Sequence, residues 1–180
     1  SLYGLTSGDT RALYEEGVRK SFEEQGAVLG AYLSSTSKPR PYNSSTVSPV
    51  YPAGYSDDIS EGNVSPSWDD TSGTADEVKE QQLQKIITQK FLALFPNAYE
   101  AWTEYRRTGY PFIMKPADRA AAGRIDAPAD ARAPERFVFS DQSYTTNPSL
   151  KVVPSLLGGP DKGSTKLWWV RDNRPKQPNN

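Results

Sequence analysis

A helical spacing of apolar residues marks the N-terminal part of the chain. Asp9 precedes it as a candidate N-cap, and Gly26 follows it at a position that suits a C′ residue. Charged residues four apart, such as Glu15 and Arg19, lie on the opposite side. The pattern predicts a helix from about residue 10 to residue 25. Its apolar face comprises Leu13, Gly17, Val18 and Phe22.

The helical pattern is lost over residues 34–73, which are rich in Ser, Pro, Gly and Tyr. Irregular segments of this length are uncommon inside compact domains and are usually functional or disordered. Disordered segments are poor in aromatic residues, whereas this one contains Tyr42, Tyr51, Tyr55 and Trp68. We therefore expect an ordered excursion that contributes to a surface.

The strongest helical pattern begins directly after the excursion. Thr74 and Glu77 have the spacing of a capping box, in which each side chain bonds the other residue's backbone N–H. The following residues predict a helix with a wide apolar face. That face comprises Leu83, Ile86, Ile87, Phe91, Leu94 and Phe95.

A second helix follows after a very short turn. Pro96 ends the preceding helix, and Asn97 with Glu100 repeats the capping-box spacing. Gly109 suits the C′ position of the second helix. Because so short a connection usually makes two helices antiparallel neighbours, we predict a helix pair over about residues 75–108.

The remainder, residues 110–180, is irregular in pattern. It leaves open a short strand or two, or another short helix, around residues 136–159. The predicted fold class is therefore mostly α with long irregular loops. Its 180 residues suit one domain or part of a larger one. The 15 prolines and a mean hydropathy of −0.70 indicate that much of the chain is loop or interface.

The absence of Cys and His is the most restrictive feature of the composition. It excludes disulfides, thiolate nucleophiles, zinc sites built on His or Cys, and acid–base catalysis by His. The net charge of −1 provides no general attraction for nucleic acid or an anionic membrane. No apolar run approaches the roughly 18 residues that a membrane-spanning helix needs. Because residue 1 is a serine, we expect a fragment or a processed product.

Two pairs of neighbouring carboxylates in the excursion, Asp57 with Asp58 and Asp69 with Asp70, form the first candidate for catalytic chemistry. A glycosidase needs two carboxylates held across a sugar ring, a geometry that adjacent residues do not establish. Turn and cap roles are the ordinary interpretation of such Asp residues. Calcium prefers oxygen ligands, so a calcium site is a hypothesis, although the spacing differs from an EF-hand. Its candidate ligands are Asp57, Asp58, Glu61 and Asn63.

A glycine-rich turn over residues 158–165 partly resembles a phosphate-binding loop. Such a loop needs a lysine directly after its last glycine, but Lys162 precedes Gly163 here. We therefore predict a surface turn.

Aromatic residues form two groups with different expectations. Tyr99, Trp102 and Tyr105 have helical spacing, which favours packing against the preceding helix, with Arg106 or Arg107 bridging neighbouring elements. The excursion's aromatics lie among polar residues without a periodic apolar face. Such rings suit stacking on sugars, a protein interface, or tethering of the loop to its own core. The candidate ligand-binding residues are Trp68, Tyr51, Tyr55 and Tyr42, and we name no catalytic residue.

The segment Ile87–Pro111, ITQKFLALFPNAYEAWTEYRRTGYP, resembles the helix–turn–helix in the C-terminal half of SusD/RagB-type proteins. Residues 12–26, 132–148 and 167–169 resemble further blocks of that family, in the same order. Phe139, Ser140 and Ser143 depart from its usual residues. The family's proteins are far longer, so residues 1–180 resemble the C-terminal portion of one SusD-like domain.

The resemblance implies a tetratricopeptide-like helical scaffold with long loops building the ligand face. It also implies a Bacteroidetes-type lipoprotein, anchored to the outer-membrane surface through an N-terminal lipid absent from this chain. Such proteins capture glycans, or sometimes peptides, and act as a lid on a SusC-like TonB-dependent transporter.

The function we predict is non-catalytic capture of glycans and their delivery to that transporter, without a cofactor. Two alternatives remain open. The chain can be a structural part that packs on the transporter or on the rest of its own chain, or it can belong to a peptide-binding homologue.

Overall fold

The computed structural model describes residues 2–4, 7–39, 42–43, 56–57, 63–112 and 133–170. The first helix, α1, spans Thr10–Glu24, close to the predicted bounds. The carboxylate of Asp9 caps it by accepting the backbone N–H groups of Arg11 at 2.9 Å and Ala12 at 3.3 Å. Gly26 follows with a φ of 65°, a left-handed conformation that glycine adopts without strain.

A single 3₁₀ turn at Tyr32–Ser34 leads into the excursion. Two short strands, β1 (Tyr42–Asn43) and β2 (Ser56–Asp57), pair antiparallel, with Tyr42 opposite Asp57. A backbone hydrogen bond from Ser67 to Ser35 joins the outgoing and returning ends of the excursion at 3.2 Å. The two ends therefore meet beside α1.

Helices α2 (Ala75–Ala93) and α3 (Ala98–Thr108) form the predicted hairpin. Both halves of the capping box between Thr74 and Glu77 are present. In the second predicted box, the Asn97 side chain accepts the backbone N–H of Glu100.

The contacts between α2 and α3 run in opposite directions along the two helices. Lys90, near the end of α2, pairs with Glu104 of α3 at 2.7 Å. Tyr110, just beyond α3, donates to Glu80 in the first half of α2 at 3.0 Å. The antiparallel arrangement follows from this order of contacts.

The small apolar core lies on this hairpin. Ile87 packs with Tyr110 and Phe112, and Leu83 borders the cluster. The predicted apolar face of α2 is otherwise incompletely covered, since Phe95 is 76% exposed. Gln84 and Lys85 are instead buried, because α2 turns part of a polar face toward the returning end of the excursion.

The C-terminal region is helical where the sequence left strand or helix open. It contains α4 (Asp141–Thr146), a 3₁₀ turn over Pro148–Val152, and α5 (Val153–Leu157). Across the described residues, no helix is both long and apolar enough to span a membrane.

The aromatic stripe of α3 divides between core and surface. Tyr105 is buried, as expected for packing, whereas Tyr99 is 74% exposed, so the packing prediction is wrong for that residue. Trp102 contacts the C-terminal region, where its indole N–H donates to the carbonyl of Pro134 at 2.9 Å. Its ring centroid lies 4.7 Å from that of Phe137.

Candidate functional site

Trp68, a predicted ligand-binding residue, lies in the return arm of the excursion, which we define as residues 63–72. Its ring centroid is 5.1 Å from that of Tyr14 on α1, with the planes tilted by 41°. The Tyr14 hydroxyl donates to the carbonyl of Pro66 at 2.6 Å. Because burial raises the pKa of Tyr14, this hydroxyl stays protonated and remains a donor. The half-buried Trp68 ring is therefore held on α1.

An ion pair fixes the next residue of the return arm. The guanidinium of Arg11 contacts both carboxylate oxygens of Asp69, each at 3.0 Å. The same guanidinium pairs with Glu15 at 2.8 Å, and hydrogen bonds from Arg11 and Arg19 lower the pKa of Glu15. These groups are solvent-exposed, so the contact aligns the arm more than it stabilises the fold.

A buried polar network holds the base of the return arm. Lys85, which is 1% exposed, donates to the Ser65 carbonyl at 2.9 Å and approaches the Ser65 hydroxyl at 3.4 Å. The Ser65 hydroxyl donates to Asp70 at 2.5 Å. Burial lowers the pKa of Lys85, and the negative charge of Asp70 opposes that shift. The ammonium thus lies beneath the arm, where the electrostatic attraction of the Asp70 carboxylate compensates part of its desolvation.

A polar cleft of about 330 Å³ opens between the two ends of the excursion and α2. One wall comes from the outgoing end, a second from the return arm, and a third from Gln81 of α2. The Gln81 side-chain amide joins α2 to the return arm. Its oxygen accepts the Ser72 N–H at 3.3 Å, and its nitrogen donates to the Ser72 carbonyl at 2.7 Å. The lining residues are Lys38, Asn63, Val64, Ser65, Asp70, Thr71, Ser72 and Gln81.

The other predicted site residues are only partly described. Tyr51 and Tyr55 lie outside the described residues, as do Asp58 and Glu61 of the calcium hypothesis. Tyr42 and Asp57 are described through their backbone pairing alone. Asn63 is buried, and its side-chain oxygen accepts from Gln84 at 3.4 Å. Within the described ranges, no group of three Asp or Glu residues is placed to hold a metal ion.

The glycine-rich turn near the C-terminus is more than the predicted surface turn. Asp161 is 8% exposed and forms an ion pair with the equally buried Arg136. It also accepts the Phe139 N–H at 3.1 Å and the Tyr144 hydroxyl at 3.0 Å. Burial alone raises the pKa of Asp161, but hydrogen bonds from Arg136 and Tyr144 hold it below the usual range. The turn therefore anchors the segment leading into α4.

Arg106 fulfils the predicted bridging role. Its guanidinium lies 4.0 Å from the ring centroid of Trp102 and 4.9 Å from that of Trp169. It also donates to the Glu135 carbonyl at 2.8 Å. Arg107 instead pairs with Glu104 on its own helix, at 2.5 Å. The outer face of α3 therefore holds the C-terminal region in place.

An apolar groove of about 570 Å³ runs between α1 and α2. Leu13 and Leu92 on its borders are more than half exposed. Gly17 lies on the α1 side, and a Cβ added there meets no atom within 4 Å. The predicted apolar face of α1 thus lines an open groove, and of its four residues Val18 is buried.

Comparison with known proteins identifies the family. The family model for SusD-like proteins, described as Susd and RagB outer membrane lipoprotein, matches residues 1–170. The chain belongs to the SusD-like family. Proteins of this family are binding proteins and not enzymes. No curated protein sequence matches this SusD-like chain significantly.

Solved structures agree with this membership and with the mostly helical fold. The structure of BT1043 is 56% identical with a TM-score of 0.86, and the match covers 99% of this chain and 34% of that one. A SusD homologue from Bacteroides vulgatus is 35% identical with a TM-score of 0.76, covering 98% and 33%. A chitin-binding SusD homologue from Flavobacterium johnsoniae is 32% identical with a TM-score of 0.76, covering 96% and 34%. The chain thus spans about a third of the length of each solved relative.

Proposed function

We propose that the protein containing this SusD-like chain captures glycans without cleaving them. The observation that carries the proposal is its 32% identity to a chitin-binding homologue over 96% of the chain. Family membership supports the further proposal of a lipid-anchored location at the outer-membrane surface. Delivery of the glycan to a SusC-like TonB-dependent transporter belongs to the same proposal. The assignment of residues 1–180 to the C-terminal portion of one domain stays a prediction.

Trp68 is the described residue that we propose for glycan contact, with Tyr42, Tyr51 and Tyr55 of the same excursion. Its ring is half-buried and held by Tyr14, so little side-chain freedom is lost when a sugar stacks on it. Flat rings match the C–H faces of pyranoses, while neighbouring polar groups bond their hydroxyls.

The geometry around the acidic pair at 69–70 supports a non-catalytic role. Asp69 is occupied by Arg11, and Asp70 accepts the Ser65 hydroxyl. Asp69 thereby holds the arm on α1, and Asp70 closes a contact within the arm. A glycosidase instead needs two carboxylates facing each other across a sugar-binding space.

The test uses the full-length protein and a panel of oligosaccharides that includes chitin fragments. We expect at least one to bind measurably in calorimetry and to be recovered uncleaved. Trp68→Ala should weaken binding by about tenfold, since stacking on an aromatic ring contributes about 1 kcal/mol or more. Trp168→Ala, which removes a 94% exposed ring elsewhere, serves as the control. Binding of peptides alone, or hydrolysis of a bound glycan, would contradict the proposal.

A second candidate function is structural, and the apolar groove favours it. The chain spans about a third of the length of its solved relatives. We therefore propose that an apolar helix of a longer polypeptide packs into the groove between α1 and α2. Gly17→Leu tests this in the full-length protein, with Lys20→Leu on the outer face of α1 as the control. A covered groove predicts destabilisation of about 1–3 kcal/mol from overpacking. An open groove predicts unchanged or slightly higher stability, because leucine favours helix over glycine.

A further inference from the structure

The polar cleft between the ends of the excursion has the features of a preorganised site. Its floor is made of Asn63 and Ser65, both buried. Gln84 holds Asn63, and Lys85 holds Ser65, so neither floor residue is free to rearrange. A polar site whose walls are already fixed loses little conformational entropy when a ligand binds.

Three groups at the mouth of the cleft retain capacity for a ligand. Asp70 uses one carboxylate oxygen for Ser65, and a carboxylate accepts several hydrogen bonds. Thr71 and Lys38 have no side-chain hydrogen bond within the part of the chain that the structure describes. The mouth therefore offers one anionic acceptor, one cationic donor and one hydroxyl that does both.

The composition of this mouth indicates the class of ligand. Among the residues that line the cleft, the exposed Lys38 and the half-buried Asp70 carry opposite charges, so the lining does not select strongly for an ion of either sign. A set of groups that contains both donors and acceptors matches adjacent hydroxyl groups, each of which donates and accepts. A volume of about 330 Å³ lies at the lower end of the range for small-molecule sites, so the ligand is about one ring in size.

We propose that this cleft holds a single pyranose ring through its hydroxyl groups, with Asp70, Thr71 and Lys38 as the contacting residues. The inference rests on the proposed glycan-binding function and adds a subsite distinct from Trp68, whose ring does not line the cleft. The subsite selects by hydrogen bonding, whereas stacking at Trp68 tolerates many sugars.

The experiment follows backbone amide and indole NMR signals of the full-length protein during titration with individual sugars. The panel contains glucose, galactose, N-acetylglucosamine and glucuronate. Each is added up to about 50 mM, because the dissociation constant of a single-ring ligand is expected to be in the millimolar range. We expect at least one sugar to shift the amides of Thr71 and Ser72. A response to glucuronate alone would overturn the hydroxyl-based assignment in favour of a carboxylate site at Lys38.

Two variants that leave the floor of the cleft intact complete the test. Thr71→Val and Lys38→Gln should each weaken the sugar affinity reported at residues 71–72 about fivefold, the usual effect of one lost hydrogen bond. Thr36→Val and Lys20→Gln, at exposed positions outside the cleft, should leave it unchanged. Wild-type shifts at Trp68 without shifts at residues 71–72 would refute the subsite and leave glycan capture standing. If the wild-type protein binds none of the single sugars and none of the oligosaccharides, both the subsite and the proposed glycan capture are refuted.

Discussion

The helix starts of the α2–α3 hairpin and the return arm are held by different kinds of contact. The two helices begin at local caps, Thr74 with Glu77 and Asn97 with the N–H of Glu100. The docking of one helix on the other uses a more distant contact, from Tyr110 to Glu80. In the return arm, the defining contacts span 20 to 58 residues of sequence, from Lys85 to Ser65 and from Arg11 to Asp69. Local contacts can be found from sequence spacing, whereas distant ones cannot.

This difference separates what identifies the family from what holds a ligand. The hairpin carries the residues that resemble the family, but its aromatic stripe serves the core and the C-terminal region. The return arm has an irregular sequence, yet it places Trp68 on α1 and forms one wall of the polar cleft. The comparison predicts that distant polar contacts contribute more to stability than the local caps.

The largest effect is expected at the buried pair of Asp161 and Arg136, a distant polar contact outside the return arm. Asp161→Ala should destabilise the protein by about 3 kcal/mol, because it leaves a buried guanidinium without its partner. Denaturant unfolding at pH 7 measures this change. A loss of stability no larger than that of an exposed helix cap would contradict the prediction that distant polar contacts contribute more than local ones.

The acid side of the stability profile provides a check on the same residue. The pKa of Asp161 is lowered in the folded state. Its stabilising contribution is therefore present above the unfolded pKa, about 3.9, and is lost as pH falls through the lower folded value. Asp161→Ala should accordingly reduce the stability difference between pH 7 and pH 3. An unchanged difference would show that Asp161 does not titrate in this way.

The second effect is expected at the base of the return arm. Lys85→Met keeps the length of the side chain but leaves the buried Ser65 carbonyl without its donor. We expect a loss of about 2 kcal/mol, smaller than for Asp161 because methionine also removes the cost of burying an ammonium. Lys20→Met, at an exposed position on α1, is the matched control and should show no measurable change. If both variants have the same unfolding midpoint, the network does not hold the arm.

The sequence predicted the helices well and the site only in part. Periodicity and caps located α1, α2 and α3, because those signals lie within a few residues of each other. The burial of Lys85 and Asp161 had no comparable signal: each depends on a partner 20 or more residues away, brought near only by the fold. The apolar face of α2 was predicted from period alone, which does not reveal whether another element covers Phe95.

The smallest effect is expected at the cap of α2, the feature that the sequence predicted best. Thr74→Ala removes the hydroxyl that accepts the Glu77 N–H at 3.4 Å. We expect a loss of about 1 kcal/mol, since the N-terminal N–H groups of an exposed helix end can bond water instead. Thr74→Ser, which keeps the hydroxyl, should restore most of that stability. A loss equal to that of Lys85→Met would mean that local and distant contacts contribute equally to stability. The sequence signals that locate the helices would then also locate the residues that matter most for stability.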